Sequence, residues 1–366
     1  MSGHGRKVVV AMSGGVDSSV AALMLVRQGW SVTGLFMRSG LVTVASDPDA
    51  PAAADDAGDA RRVADHLGIP LHVLDVGDGF QRLVDYFVDE YGRGRTPNPC
   101  VVCNRDLKFG RLLDCALDLG AEAIATGHYA RVADRGGEPA LLRSADPDKD
   151  QSYALFAIPC DRLGRIVLPL GEQTKAASRR MAAESGLPVH DKVESQDACF
   201  VAGDYADLIR QRRPDLLRPG PIVDELGREV GRHQGIAAFT IGQRRGVRVA
   251  FGQPRYVVSL DAATATVHVG PHEHLLAPGL RVEDANWLTA RPPRDGDVIE
   301  ADVQIRYKHR AARARVVVRG GRGADVRFDE PQRAVTPGQA AVFYVGDRVL
   351  GGGWIVRALG AEDALP

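Results

Sequence analysis

Apolar residues along the first half of the chain recur in two alternating rhythms. "KVVVAM" is a short β-branched apolar run, the pattern of a strand buried on both faces. "SSVAALMLVRQG" then places apolar residues at helical spacing and ends on glycine. The alternation continues with a strand in "SVTGLFM", a helix in "DARRVADHLGIP", a strand in "LHVLDV" and a helix in "FQRLVDYFVDEYG". A loop carrying two cysteines follows, then a helix in "LKFGRLLDCALDLG" and a strand in "AEAIATGH". Strands alternating with helices of this length predict a parallel sheet covered on both faces. "RVADRGGEPALLRS" predicts a hairpin around Gly136-Gly137, and "KAASRRMAAESGLP" one more helix. From about Pro219 the segments are short, alternating and punctuated by turns, as in "RYVVSLDAATATVHVG", "VIEADVQIRY" and "AAVFYVGDRVLGGGWIV". That is a β-rich pattern. The reading gives three domains: a catalytic α/β domain over 1–215, a small central β-rich domain over 216–278 and a C-terminal barrel over 279–366.

Composition fits this picture. The chain has 366 residues, 45% apolar and 25% charged, and is long enough for more than one core. No apolar run approaches the ~20 residues that span a bilayer, and the basic start lacks the apolar segment of a signal peptide. The expectation is a cytoplasmic protein without a membrane partner. Five cysteines, an odd number in a long chain, do not form a secreted disulfide framework. Formal net charge is −1, but arginines cluster in "LIRQRRPDLLR", "GQRRGVR" and "RYKHRAARAR". Each alone reads as a solvated face. Together they favour a polyanionic partner.

The sharpest local signal is "VVVAMSGGVDSSVAAL". A strand ends, a Ser-Gly-Gly turn follows and a helix begins. The glycines let the backbone approach a ligand, and the helix start offers free N–H groups to phosphate. Ser13, Ser18 and Ser19 add hydroxyls, and Asp17 can orient a Mg²⁺ ion or an attacking group. No Gly-Lys-Ser/Thr follows, so this is not a Walker loop. "SGGVDSS" resembles the loop of the N-type ATP pyrophosphatases. These enzymes cleave ATP between the α- and β-phosphates and place AMP on a carbonyl oxygen.

Over nearly the whole chain, from Val8 to about Val356, the sequence resembles the bacterial tRNA-specific 2-thiouridylases. "GLFMRSG", "TPNPCVVCNRDLKFG", "ATGHYARV", "DKDQSYALF", "SQDACFV", "GRHQGIAAFTIGQRRG", "RYKHR" and "VTPGQAAVFYVGDRVLGGG" carry the likeness. The resemblance implies an ATP pyrophosphatase domain, a central domain and a β-barrel. It implies ATP-dependent 2-thiolation of the wobble uridine (U34) of tRNA, with sulfur from a persulfide donor protein. It implies that Ala11, Met12, Ser13, Gly14, Gly15, Val16, Asp17, Ser18, Met37 and Gly127 line ATP. Cys103 is then the nucleophile, Cys199 carries the persulfide, and a Cys103–Cys199 disulfide ends a turnover. Asn98, Pro99 and Cys100 meet the target base. His128, Lys149, Asp150, Gln151, Arg306, Tyr307 and Gln339 contact tRNA. Read without the likeness, His128 is a strand-end histidine, "DKD" a plain turn, and Arg306-Tyr307 an alternating pair on a strand. Cys115 and Cys160 read as buried thiols.

The family commonly has aspartate where this chain has Cys100. Three readings stand: a tolerated substitute, a resolving thiol, or one of three ligands (Cys100, Cys103, Cys199) of a [4Fe-4S] cluster. Zinc would want a fourth ligand that the sequence does not offer. Two rival functions also stand. One is a C–N-forming ligase of the same superfamily. The other is a cysteine-clustered RNA-binding or redox module with a relict loop.

Overall fold

The computed structural model describes residues 5–40, 55–193, 205–247 and 253–363. Its first domain is organised on five parallel strands: β1 (Lys7–Met12), β2 (Ser31–Arg38), β3 (Leu71–Asp75), β4 (Ala123–Ala125) and, later in the chain, Ile166–Val167. Their spatial order is β3-β2-β1-β4 followed by the late strand. The alternation within β1 explains its unbroken apolar run. Val8, Val10 and Met12 face one buried cluster, and Val9 faces the other. Helices α1 (Val16–Arg27), α2 (Asp56–Leu67) and α3 (Gly77–Gly92) supply the layers. Strand order reverses between β1 and β4, and open α/β sheets bind ligands at the carboxyl ends of the strands at such a point.

The cysteine segment differs from the expectation. "NPCVVCN" is a helix start rather than a loop. Helix α4 (Pro99–Val102) runs directly into a widened π-helical stretch, Cys103–Leu112, and then into α5 (Leu113–Asp118). Pro99 sits at the first helical position, where its missing N–H costs nothing and its fixed φ favours the helix. The same Asn-Pro pair reads equally well as a turn, which is why the pattern misleads.

The hairpin around Gly136-Gly137 is present, with β5 (Arg131–Asp134) paired to β6 (Pro139–Leu142). The late sheet strand is β7 (Ile166–Val167), followed by α6 (Lys175–Glu184) and α7 (Tyr205–Arg212). A small mixed sheet comes next, from β8 (Gly220–Val223), β9 (Glu229–His233), β10 (Tyr256–Asp261) and β11 (Thr266–Gly270). The last unit has β12 (Leu276–Trp287), β13 (Val298–Gln304), β14 (Ala312–Arg319), β15 (Gly323–Arg333), β16 (Ala340–Val345) and β17 (Arg348–Leu359). The β12–β17 pairing closes these six antiparallel strands into a barrel. Among the described residues no helix is long and apolar enough to cross a membrane.

The barrel packs against the cysteine segment. The Thr96 N–H donates to the Pro337 carbonyl (2.9 Å), and Tyr153 donates from its hydroxyl to the Ala340 carbonyl (3.1 Å). Asn286 Nδ2 donates to the carbonyls of Phe156 (2.6 Å) and Ile158 (2.8 Å). One buried cluster runs from Val9 through Phe109 and Tyr153 to Val342 and Tyr344. The barrel therefore fixes the position of the segment that carries the cysteines.

Candidate active site

The loop after β1 is braced from within. Ser18 Oγ donates to the Gly15 carbonyl (3.1 Å), accepts from the Ser13 N–H (3.2 Å) and lies 3.2 Å from Ser13 Oγ. Ser19 Oγ also donates to the Gly15 carbonyl, at 2.8 Å. The serines shape the loop. Gly15 caps α1 and makes no side-chain cap, so no side chain competes for the helix's leading N–H groups, the kind of groups that attract anions. Gly14 has φ +74°, and a Cβ there would lie 2.4 Å from the Asp56 carbonyl oxygen. Only glycine permits that approach.

Gly127, just beyond β4, presses on the loop from the neighbouring strand. A Cβ on it would lie 2.7 Å from both the Asp17 carbonyl carbon and the Ser18 nitrogen. Both are backbone atoms and cannot swing aside. Gly127→Ala should therefore cost about 1–3 kcal/mol of stability through overpacking and displace the loop. Thermal melts and calorimetric ATP titration check this, and parent-like ATP affinity would remove the loop from the nucleotide site.

Asp17 projects from the first turn of α1. Its carboxylate accepts from Lys175 Nζ at 2.7 and 2.8 Å and from the Tyr129 hydroxyl at 3.0 Å. Lys175 begins α6, 158 residues away in sequence. No local pattern links the two, and sequence reasoning missed both partners. Of the roughly four acceptor positions on a carboxylate, three are used, and the side chain keeps a third of its surface exposed. The group thus fits one direct contact to a nucleotide's magnesium. Met37, at the carboxyl end of β2, pairs with Leu74 of β3 and is half-buried on the same sheet edge.

His128 is buried. Its Nδ1 lies 2.7 Å from Thr126 Oγ1, and its Nε2 lies 3.5 Å from Lys108 Nζ, which belongs to the helix begun by the cysteines. Burial, and secondarily the Lys108 charge, hold its pKa well below the ordinary histidine value. It is neutral in the folded protein at neutral pH. An unfolded histidine takes its proton as pH falls past ~6.5, and the folded one does not. Stability should therefore decline as pH falls from about 7 through ~6.5 toward the lower folded value. Melts between pH 7.5 and 5.5 check this, with a shallower decline expected for His128→Gln.

Cys103 is buried and Cys100 is exposed, one helical turn apart. Neither is disulfide-bonded among the described residues, and Cys199 lies outside them. Cys103 lines a cleft of about 800 Å³ together with Gly77, Arg82, Tyr86, Arg105 and Arg111. Gly77 begins the segment that follows β3, so the cleft opens at the same sheet edge as the phosphate loop. Asn98 is held on two sides. Its N–H donates to the Tyr86 hydroxyl (3.3 Å) and its Nδ2 to the Tyr153 hydroxyl (3.4 Å). Burial pushes the Tyr86 hydroxyl up to about 12, and Tyr153 is raised for the same reason, so both remain protonated. Gln339 reaches across from the barrel and donates to the Thr96 (3.2 Å) and Pro97 (3.0 Å) carbonyls.

Asp150 accepts from Arg143 Nη1 (2.9 Å), the Ser144 and Ser152 N–H groups and Ser152 Oγ. Gln151 Oε1 accepts from the Tyr129 N–H at 2.8 Å. Both side chains build the turn beside Lys149. Arg306 and Tyr307 lie on the turn after β13, with Tyr307 exposed, and Gln304 links that turn to this group: it accepts from Arg143 Nη1 (3.4 Å) and donates from Nε2 to the Arg306 carbonyl (3.2 Å). Among the described residues no three His, Cys, Asp or Glu side chains gather as a metal site.

A parallel sheet with a glycine-braced strand-to-helix loop at its switch point, and a cysteine-bearing helix beside it, has the architecture of an α/β nucleotide-binding domain. Residues 6–203 match the domain family described as tRNA methyl transferase HUP domain, residues 207–271 the PRC-barrel domain and residues 277–355 the aminomethyltransferase β-barrel domain. A protein of Geobacter metallireducens named tRNA-specific 2-thiouridylase MnmA is 48% identical, covering 97% of this chain and 98% of the relative. One of the same name from Rhodopirellula baltica is 46% identical, covering 96% and 97%. The chain belongs to the tRNA-specific 2-thiouridylase family. A solved 4-thiouridine synthetase–RNA complex with bound ATP aligns at a TM-score of 0.35 and 19% identity, covering 57% of this chain and 51% of that one, too distant to argue from.

Proposed function

We propose that the protein uses ATP to convert the C2 carbonyl of uridine 34 in tRNA to a thiocarbonyl. The observation that carries the reading is the short segment Thr126–Tyr129. Gly127 touches the phosphate loop, Tyr129 holds Asp17, and His128 meets Lys108 of the cysteine helix. In this reading one strand end links the loop that activates the carbonyl to the helix that carries the cysteines.

In this reading the loop N–H groups and Lys175 receive the phosphates, and AMP is placed on O2 of the uridine with loss of pyrophosphate. The terminal sulfur of a Cys199 persulfide attacks C2, and AMP leaves. The Cys103 thiolate then attacks the Cys199 sulfur. The S–S bond breaks, the thiocarbonyl is released and a Cys103–Cys199 disulfide remains, to be reduced before the next turnover. Asn98, fixed by Tyr86 and Tyr153, orients the base beside Cys100. Lys149, His128, Arg306, Tyr307 and Gln339 serve the RNA directly or through the segments they hold. The reading is cluster-free: the exposed Cys100 is taken to stand in for the aspartate common in the family rather than to ligate a cluster.

Pyrophosphate release tests the proposal. It should require tRNA lacking 2-thiouridine. A ligase of the same superfamily would instead need a small acid and an amine, and a binding module would release none. Release without RNA would overturn the proposal, as would unchanged 2-thiouridine, read by nucleoside mass spectrometry, in cells lacking the protein.

A further inference from the structure

The loop after β1 is gripped from a second side, by a lysine that has no part in the reaction as set out above. Lys192 closes a run of tight turns beyond α6. The His190 N–H donates to the Leu187 carbonyl and the Lys192 N–H to the Val189 carbonyl, both at 3.1 Å. Leu187 and Val189 are buried in the cluster that holds Val8, Val10 and Met12 of β1 and Val16 of α1. The lysine's backbone is therefore anchored on the same core as the two elements that flank the loop. Its Nζ donates to the Gly14 carbonyl (3.1 Å), to Asp56 Oδ1 (2.6 Å) and to Asp59 Oδ2. Asp59 is buried, and Arg62 pairs with its other oxygen. Two carboxylates thus face two cations. Burial works against the Lys192 charge, but Asp56 and Asp59 outweigh it and raise its pKa, so the ammonium stays charged.

An ammonium has three N–H donors, and here all three are spent inside the protein. Lys192 has none left for a phosphate, so any effect it has on a nucleotide passes through Gly14. A trans peptide points its carbonyl and the following N–H in opposite directions. With the Gly14 carbonyl turned to Lys192, the Gly15 N–H is turned away from it. A peptide between two glycines is the easiest in a chain to flip, because neither side has a Cβ to restrict it. Flipped, it would offer a phosphate a carbonyl oxygen in place of an N–H, and anions bind to backbone N–H groups.

We propose that Lys192 is a positioning residue for the nucleotide: it locks the Gly14–Gly15 peptide with its N–H toward the phosphates and its carbonyl away from them. The proposal rests on the reading of this loop as the ATP site. The start of α2 is the other half of the lock. Asp56 and Asp59 hold the ammonium, and the Asp56 carbonyl oxygen lies where a Cβ on Gly14 would come within 2.4 Å of it. The two lysines that reach the loop from α6 and the turns beyond it then divide the work. Lys175 acts on the Asp17 side chain, and Lys192 on the loop backbone.

The test is calorimetric binding of ATP, and separately of adenosine, to the full-length Lys192→Met protein. Methionine keeps an unbranched apolar stem and removes the ammonium. ATP affinity should fall about tenfold, the loss expected for one hydrogen bond to a charged group. Adenosine affinity should stay at the parent value, because the peptide faces only phosphate. In the pyrophosphate assay KM for ATP should rise by about the same factor, with KM for tRNA unchanged. A merely structural role would weaken adenosine and ATP alike, and that result overturns the proposal. Parent-like ATP affinity in the folded variant overturns it too. If removing the ammonium strands the Asp59 carboxylate and unfolds the variant, Lys192→Met/Asp59→Asn removes that charge and carries the same expectations. Failure of the parent to bind ATP would sink the ATP-dependent reading itself, a result distinct from either.

Discussion

Serine at Cys103 or at Cys199 should reduce 2-thiouridine formation by at least about 10³-fold, while Cys100→Asp should keep most of it. The difference follows from what each position must do. One sulfur has to be delivered and a second thiol has to release it, so a hydroxyl at either place leaves the transfer incomplete. Cys103 is buried at the wall of the cleft, one turn into the helix. Cys100 is exposed in the first turn of the same helix. An aspartate there meets the positive end of the helix dipole, worth roughly 0.3–1 kcal/mol. The substitution should therefore leave stability unchanged or slightly raised. The assay combines ATP, unmodified tRNA and sulfide or a persulfide donor, with protein prepared aerobically and also after anaerobic iron–sulfur reconstitution. A folded but inactive Cys100→Asp protein would show that position 100 needs sulfur. Parent activity only after reconstitution, with iron bound, would replace the cluster-free reading.

The sequence was most legible where local chemistry and topology coincide. Strand, glycine turn and helix form one continuous stretch from Val8 to Arg27, and each part has its own signature. The barrel was legible as alternation and turns, because a half-buried antiparallel strand needs only period two. The cysteine helix is not legible, because Asn-Pro favours a helix start and a turn alike. The site's contacts across the sheet were not legible. Lys175 lies in a stretch whose spacing announces a helix and nothing more, and Tyr129 looks like the end of a strand. They meet Asp17 only because β4 lies beside β1 and α6 packs against α1. Asp150 and Gln151 show the converse. Their motif was legible, yet their side chains are spent on Arg143, Ser144, Ser152 and Tyr129.

Asp17→Asn should abolish pyrophosphate release while leaving a folded protein. The substitution changes almost no volume and keeps one oxygen for the Tyr129 hydroxyl. It removes the charge that holds Lys175. Lys175 Nζ spans both carboxylate oxygens, at 2.7 and 2.8 Å, and its side chain is nearly buried. An ammonium in such surroundings needs a fixed anion to remain in place. An amide offers it one neutral acceptor and presents N–H groups where an acceptor had been. The remaining contact that Asp17 could make to the nucleotide's magnesium is lost in the same step. Two effects should therefore combine. ATP binds more weakly because the cation beside the phosphates is misplaced, and the α-phosphate is no longer aligned for attack by the uridine oxygen, a step that depends on placement within fractions of an ångström. Lys175→Met should show the first effect without losing the acidic group. A double variant should be no worse than Asp17→Asn alone, because the two side chains act as one unit. Pyrophosphate release is measured with saturating tRNA, and circular dichroism confirms the fold. Normal release from a folded Asp17→Asn protein would remove Asp17 from the chemistry, and strictly additive losses would separate it from Lys175.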